Sequence, residues 1–492
     1  MPALSPKRLA VPTLSGLHLL HRGKVRDTYD LGNRLLLVVA SNGLSIFDFV
    51  LNAMVDEKGA ILTALNHFWL TQLEEIGIKT HLIAAGSAID AYLPEELRGN
   101  PELQSRALVV RQLKMAPIEF IARQCLTGSG FKDYQKNGEV CGHKLPLGIQ
   151  DSDALPAAID TPTTKAEEGH DMPLDADEIR TQYPEETTTL FEAFAHIAER
   201  AFESGIVLAD TKMEFGRDQD GILYLADEVG TPDSSRFWDR NEWLAGRKKE
   251  ARKAPPPNDK QLVREWGIEQ GINKLDPLLS EDVAKVHALH VPNELLEATT
   301  QTYRYIFWRL TWMRLEEYQR ERMDIDVEDK KRNLAIIFGS MTDIHSMIPV
   351  LKHLPHGFDQ VEVHVVSCHR NPAALHHFAV HGCYGADVVI AAGGKAFALP
   401  GVLDALLHEN GHTTPVIGVA LGVSDSTALE AAKLSISELP GQPVVMDEML
   451  GVYTGIQGIA LAIDRAATGE FPVVKRVTKP PVFDVDLSVL AM

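Results

Sequence analysis

Four short segments hold residue types that suit the handling of phosphate and carboxylate groups. Residues 206–209 and 222–226 read as a strand pair, with the turn supplied by residues 218–221. Glu214 ends one strand, and Asp227 with Glu228 ends the other, so the carboxylates converge at one rim of a sheet. Convergent hard oxygens of this kind suit Mg²⁺, which keeps several waters and shares phosphate oxygens. Lys212 lies two residues before Glu214 on the same strand face, where an ammonium neutralises phosphate charge as it develops. Arg123 and Arg236 lie near small hydroxyl residues (Ser129; Ser234 and Ser235), a combination suited to binding carboxylate or phosphate. Lys24 and Arg26, in GKVRD, add two further cations. Each of these side chains taken alone reads as ordinary solvated charge, and only their placement gives them weight. Neither Gly23-Lys24 nor Gly394-Lys395 is followed by Ser or Thr in the frame of a Walker A loop, so any nucleotide is held by another device.

A second group lies far along the chain. Gly339-Ser340-Met341-Thr342-Asp343 follows an apolar run and opens a helix-like segment, where backbone amides favour an anion. Ser367-Cys368-His369-Arg370 follows the next run. A histidine at the carboxyl end of a parallel strand stands where open α/β sheets place ligands, and its near-neutral intrinsic pKa suits both giving and taking a proton. Cys368 has no activating partner in the sequence and reads as a small packing residue.

The elements that must position these groups differ between the two parts of the chain. Before residue 323, short strands (34–40, 108–111, 117–123) mix with helices. An apolar stripe of Leu190, Phe194, Ile197, Ala201 and Phe202 runs toward Gly205, and residues 292–322 carry one long helical pattern. Residues 151–185, rich in Asp, Glu, Pro and Thr, read as a long loop, and 247–260 as a basic, proline-rich surface excursion. After residue 333, short apolar runs at 334–338, 361–366, 387–392 and 415–420 each precede a helix-like segment, which predicts a parallel sheet covered on both faces.

Bulk properties narrow the function. A chain of 492 residues exceeds one core and predicts two or three domains. A formal charge of −20 argues against nucleic acid or anionic membrane as a partner but leaves small anionic substrates open. No apolar run approaches the roughly 18–20 residues of a membrane span, no secretory signal is read, and the four cysteines show no metal-ligand spacing. A reduced, cytoplasmic chain is the expectation.

The motifs GKVRD, SNGLSIFD, RQCLTGS, TPTTKAE, ADTKMEFG and DEVGTPDSSRFW occur in the order and approximate spacing of the SAICAR synthetase family, which the first 322 residues resemble. The resemblance implies an α+β, two-lobed ATP-binding fold with an antiparallel sheet in each lobe. It also implies the joining of carboxyaminoimidazole ribonucleotide (CAIR) to L-aspartate with ATP and Mg²⁺. By that likeness Lys24 and Arg26 serve ATP, Glu214 and Asp227 hold Mg²⁺, and Lys212 sits at the reacting groups. Arg123, Ser129 and Arg236 bind the ribonucleotide, and the loop carrying Lys165 closes over the site. Asn42-Gly43 departs from the Asp-Arg common in the family.

Residues 333–472 resemble the AIR carboxylase family through GSMTD, SCHR and AAGGKAFALPG. That likeness implies an α/β/α three-layer sandwich with a mainly parallel sheet, and either carboxylation of aminoimidazole ribonucleotide (AIR) or rearrangement of its carbamate (N5-CAIR) to CAIR. Ser340, Asp343, Ser367 and Arg370 would surround the ribonucleotide, and His369 would move the proton. Ala398, Cys368 and ALGVSDS depart from the family pattern. The expected organisation is a ligase domain over 1–322, a linker over 323–332, a carboxylase-like domain over 333–472 and a tail over 473–492. A homo-oligomer is expected, an octamer through the C-terminal domain being the form the second family takes. The alternative to two activities is a ligase carrying a catalytically silent oligomerisation domain.

Overall fold

The computed structural model describes residues 13–165, 172–247, 254–328, 331–351, 357–395, 397–422, 426–439 and 442–473. Ala166 and Glu167 of the expected closing loop, parts of the basic excursion, the linker and the fourth C-terminal loop, and nearly all of the tail lie outside these residues. The chain divides into two compact units, Met1–Lys330 and Lys331–Met492.

The first unit contains two large antiparallel sheets. In the first, β1 (His18–Arg22), β2 (Arg26–Gly32), β3 (Leu35–Ala40), β6 (Leu82–Ala85) and β7 (Ala107–Arg111) take the order β1-β2-β3-β7-β6. A separate hairpin joins β4 (Gly43–Ile46) to β5 (Phe49–Met54). The second sheet is built around β9 (Ile118–Leu126) and β12 (Ile206–Arg217), and runs β10-β9-β12-β13, with β10 at Asp153–Asp160 and β13 at Leu223–Ala226. The short strands β8 (Lys114–Met115) and β14 (Ser235–Asp239) add to β12, and β11 (Thr163–Thr164) adds to β9.

Helix α1 (Lys58–Glu75) is buried along most of its length, polar Lys58, Thr63 and Asn66 included. Its Ile61, Leu65, Trp69 and Leu73 enter the core that packs against the second sheet. Helix α2 (Gly128–Asn137) follows β9 directly.

Three sequence expectations are corrected here. Residues 151–185 are not one loop, because the described ones among them form β10, β11 and helix α3 (Ala176–Gln182), capped by Asp175. Strand β10 pairs only with β9 and most of its side chains are not buried, so no alternation of apolar and polar residues marks it, and its Pro156 argues against a strand in the sequence. The stripe on α4 (Pro184–Glu203) buries Leu190, Phe194, Ile197 and Ala201, but Phe202 stays 51% exposed beneath the Arg240 guanidinium. The long helical pattern after residue 292 is broken into α5 (Asn293–Thr311) and α6 (Leu315–Met323) by Trp312, whose φ of 62° stops the first helix.

The second unit is a parallel five-stranded sheet of order β16-β15-β17-β18-β19, with β15 Arg332–Phe338, β16 Phe358–Val365, β17 Val388–Gly393, β18 Val416–Ala420 and β19 Tyr453–Thr454. Side chains on β15 alternate between two cores. Ala335 and Ile337 meet helices α8 (Pro372–Val380), α9 (Leu399–Glu409) and α10 (Ser426–Ser437). Leu334, Ile336 and Phe338 meet α7 (Met341–Leu351) and α11 (Gly455–Thr468). Burial on both faces explains why β15, β17 and β18 read as apolar runs, whereas the edge strand β16 buries no residue fully and its run is interrupted by Glu362 and His364. Among the described residues no helix is long and apolar enough to cross a membrane.

Candidate active site

Strand β12 organises the first unit's site. Side chains alternate along a strand, so Thr211, Met213 and Phe215 face one way, the latter two fully buried in the core, while Asp210, Lys212 and Glu214 face the other. Antiparallel register sets Asp210 opposite Arg123 of β9 on one side and opposite Arg236 of β14 on the other. The Asp210 carboxylate accepts from Arg123 Nη1 and lies 3.3 Å from Arg236 Nη1. Arg123 Nε also donates to Thr161 Oγ1 at 2.7 Å, so this buried guanidinium is fixed from two directions. Ser129 is exposed on the first turn of α2. The residue before it, Gly128, has a φ of 60°, and a Cβ there would lie 2.5 Å from Arg236 Nη1. Only glycine allows Arg236 to lie against this turn.

Farther along the same face, Lys212 Nζ donates to Glu119 Oε1 at 2.7 Å and to Glu214 Oε1 at 3.3 Å. Lys165 Nζ contacts the other oxygen of Glu214. Burial opposes the charge on Lys212, but Glu214 and then Glu119 outweigh it and hold the ammonium protonated above the ordinary lysine range. Glu214 pairs with Ala226 across the ladder, which brings the next residue, Asp227, to the same rim with a left-handed φ of 60°. Arg26 reaches this rim from β2, donating to Asp227 Oδ1 at 2.8 Å and to Glu228 Oε2. Burial alone would raise the Asp227 carboxyl, yet Arg26, Lys212 and Lys165 hold it down at about 2. It is therefore an anion at neutral pH.

The structure thus brings together Arg26, Asp227, Glu214 and Lys212 at one end and Arg123, Arg236 and Ser129 at the other. Lys24 is not joined to either group, because its exposed ammonium pairs with Asp48 at 2.6 Å. Asn42 replaces a family charge with a neutral contact, its Oδ1 accepting from Gly59 N at 2.9 Å. A cavity of about 290 Å³ opens between α2 and residues 173–175, lined by Asp133, Lys136, Cys141 and Asp175, but none of the site residues above lines it.

Two of the site's carboxylates escaped attention in the sequence. Asp210 and Glu119 each share strand parity with a singled-out residue, Asp210 with Lys212 and Glu119 with Arg123, and that parity was the available signal. Lys58 gave none: it is fully buried, with Nζ 2.7 Å from Asp233 Oδ2. Glu214 does not end its strand, as β12 continues to Arg217, but its ladder partner Ala226 ends β13, so Glu214 and Asp227 still meet. These two carboxylates, both contacted by cations, fit the hard-oxygen donor set of Mg²⁺. Among the described residues no cluster of three or more His, Cys, Asp or Glu forms a ready-made metal cage.

In the second unit the loops after β15 and β16 meet. Ser340 Oγ donates to Asp343 Oδ2 at 2.7 Å and accepts from Asp343 N at 3.3 Å, which fixes the start of α7. Arg370 Nη2 donates to Gly339 O at 3.0 Å, and Arg370 N to Ser367 Oγ at 3.3 Å. Ser340, Asp343, Ser367, His369 and Arg370 therefore share the carboxyl edge of one parallel sheet. Cys368 packs partly buried against the core, as a small packing residue does, and its Sγ also lies 3.5 Å from His369 Nδ1. Partial burial still raises its pKa, which keeps it a thiol at neutral pH.

Comparison with known proteins agrees with this division. Residues 19–277 match the family model of SAICAR synthetase, and residues 333–469 match that of AIR carboxylase. Over 307 residues the chain is 40% identical to the phosphoribosylaminoimidazole-succinocarboxamide synthase of Thioalkalivibrio sulfidiphilus, covering 61% of this chain and 96% of that one. The enzyme of the same name from Maridesulfovibrio salexigens is 40% identical over 317 residues, covering 63% and 99%. Among solved structures, the Saccharomyces cerevisiae SAICAR synthase complexed with SAICAR is similar with a TM-score of 0.54 at 30% identity, covering 62% of this chain and 99% of that chain. By sequence, by fold and by the family model that spans the N-terminal strands and their charged rim, the chain belongs to the SAICAR synthetase family.

Proposed function

We propose that the first unit ligates CAIR to L-aspartate at the expense of ATP, releasing SAICAR, ADP and phosphate, and that the second unit supplies the CAIR. The observation that carries the ligase reading is the two-ended face of β12, with a guanidinium pair at Asp210 and a lysine–carboxylate rim at Glu214 and Asp227. A carboxylate is a poor acyl donor until phosphorylated, so a CAIR carboxylate oxygen attacks the γ-phosphorus and ADP leaves. The amine nitrogen of aspartate then attacks the acyl carbon, phosphate leaves with the C–O electron pair, and the nitrogen loses its proton. Arg123, Arg236 and Ser129 bind the ribonucleotide, Arg26 faces the nucleotide end, and Lys24 would meet the triphosphate only on leaving Asp48. Glu214 and Asp227 would hold Mg²⁺, which when bound offsets phosphate charge. Lys212, kept protonated by Glu119 and Glu214, stabilises the charge that develops on the transferred phosphoryl group.

In the second unit, His369 moves the proton on the imidazole carbon as the carboxyl group is installed, beside a ribonucleotide held by Ser340, Asp343, Ser367 and Arg370. The alternative, a silent domain that serves oligomerisation, draws on Ala398 and on the contact between Cys368 and His369. A coupled assay with AIR, bicarbonate, aspartate and Mg-ATP, run beside one started from CAIR, tests both readings. SAICAR from both starts supports two activities, with N5-CAIR then added to identify the carboxyl donor. SAICAR from CAIR alone supports the silent domain, and none from either start overturns the purine reading.

A further inference from the structure

We infer that Lys58, which lies outside the substrate-binding face, is a positioning residue that fixes the segment carrying Glu228 and Arg236 through a buried ion pair with Asp233; the inference rests on the ligase reading above.

Lys58 is the first residue of α1 and is 0% exposed. Both conditions disfavour a lysine. A cation at a helix N-terminus meets the positive end of the helix dipole, and burial removes the ammonium from water. Burial accordingly lowers its pKa, against the opposing pull of Asp233. An apolar side chain of similar length would avoid both costs, so the ammonium is explained by what it holds.

It holds Asp233. The Asp233 carboxylate accepts from Lys58 Nζ at 2.7 Å and Tyr303 Oη at 2.7 Å, with Lys260 Nζ at 3.3 Å, and Lys58 also lies 5.7 Å from the Tyr303 ring centroid. Asp233 sits in a tight turn closed by Ser234 N donating to Thr231 O at 3.1 Å. Before the turn, Thr231 Oγ1 donates to Glu228 Oε1 at 2.5 Å, and Glu228 pairs with Arg26. After it, Ser234 O accepts from Lys212 N at 2.9 Å, Ser235 Oγ meets Thr211 Oγ1 at 2.7 Å, and Arg236 reaches Asp210. One anchored carboxylate therefore sets the register of groups at both ends of the site. The same helix start is tied to the end of β3, because Gly59 packs 3.1 Å (as a Cβ position) from Ala40 O and donates to Asn42.

The test compares Lys58→Met and Asp233→Asn with wild type in steady-state ligation from CAIR, with melting temperature and Mg-ADP-induced thermal shift measured alongside. A positioning role raises KM for CAIR about tenfold or more, as expected for sub-ångström misplacement of binding groups, while a Mg-ADP shift persists in the folded variant. Lys58→Arg, which keeps the charge, recovers part of the loss. A purely structural role appears as a lower melting temperature with CAIR KM unchanged per folded molecule, and that result overturns the inference. If Lys58→Met does not fold, a CAIR KM in Asp233→Asn within twofold of wild type overturns it equally. Failure of the wild-type protein itself to form SAICAR would instead remove the ligase reading on which the inference stands.

Discussion

Replacing Lys165 by glutamine should tighten, not weaken, the binding of a divalent cation to the protein without nucleotide. The Lys165 ammonium contacts one oxygen of Glu214 and Lys212 holds the other at 3.3 Å, so a metal coordinated by Glu214 must displace at least one of them. Lys165 is the one that gives way. Its side chain is 44% exposed, whereas Lys212 is 32% exposed and is also held by Glu119 at 2.7 Å. An ion pair with one wet end contributes about 0.5–1 kcal/mol, which corresponds to an affinity gain of about two- to fivefold when the competitor is removed. Titration with Mn²⁺, following the electron paramagnetic resonance of the free ion at fixed ionic strength, reads this directly. Glu214→Gln serves as the reference and should bind Mn²⁺ more weakly than wild type. If Glu214→Gln is deficient but Lys165→Gln binds Mn²⁺ no more tightly than wild type, the competition argument is wrong. If Glu214→Gln binds normally, Glu214 is not a ligand at all.

Arg123→Ala leaves Asp210 buried with Arg236 at 3.3 Å as its remaining partner, and should destabilise the first unit in urea unfolding by less than the roughly 3–5 kcal/mol of a buried charge left unpaired, with CAIR binding lost. Asp210→Asn combined with Arg123→Ala should recover part of that stability, and a double variant no better than the single would contradict the pairing. His369→Asn should abolish SAICAR formation from AIR while leaving formation from CAIR unchanged; equal rates from AIR in variant and wild type would argue for a different proton carrier. The acid side of the stability profile should carry a histidine signature. Burial lowers His81 from 6.5 to about 4, so between these values the unfolded chain binds a proton that the folded chain refuses. Stability is therefore full above about pH 6.5, falls as pH drops toward 4 and levels off below, with His81 contributing about 3 kcal/mol at most. Urea midpoints measured across this range for wild type and His81→Gln should differ in slope, and parallel profiles would refute the assignment.

What the sequence made legible depended on whether a signal was local. The face of β12 that carries Lys212 and Glu214 follows from strand parity within twelve residues, and the apolar runs of the second unit follow from burial on both faces of a parallel sheet. The bridging role of Asp210 depends on partners 87 residues before it and 26 after it, a register that only the folded sheet fixes. Lys58 and Asp233 are separated by 175 positions, and nothing near either one marks the pair. Strand β10 was invisible for a different reason: an edge strand that buries few side chains needs no apolar alternation, and it leaves only backbone pairing to define it. The contact between Cys368 and His369 joins sequence neighbours, yet it depends on rotamers that sequence does not specify.

The same observations bear on how a chain of net charge −20 binds polyanionic substrates. Cations in this site share their carboxylates: Asp210 serves Arg123 and Arg236, Glu214 serves Lys165 and Lys212, and Asp233 serves Lys58 and Lys260. One carboxylate between two cations orders both, and at Asp210 it leaves a net positive charge, whereas Glu119 balances the second cation at Glu214. A one-to-one pairing would have ordered the cations equally well but neutralised them, and an incoming phosphate would then have to break a pair before gaining one. Full removal of the carboxylates would leave the cations mutually repelling and free to move. The shared arrangement lies between these extremes, and it predicts an order of effects. Neutralising a shared carboxylate, as in Asp210→Asn, should disorder two binding groups and cost more ligation activity than neutralising one of its two cations by Arg236→Gln. Measuring kcat/KM for CAIR in the two variants decides the point, because a larger loss in Arg236→Gln would mean that the direct contact outweighs the ordering.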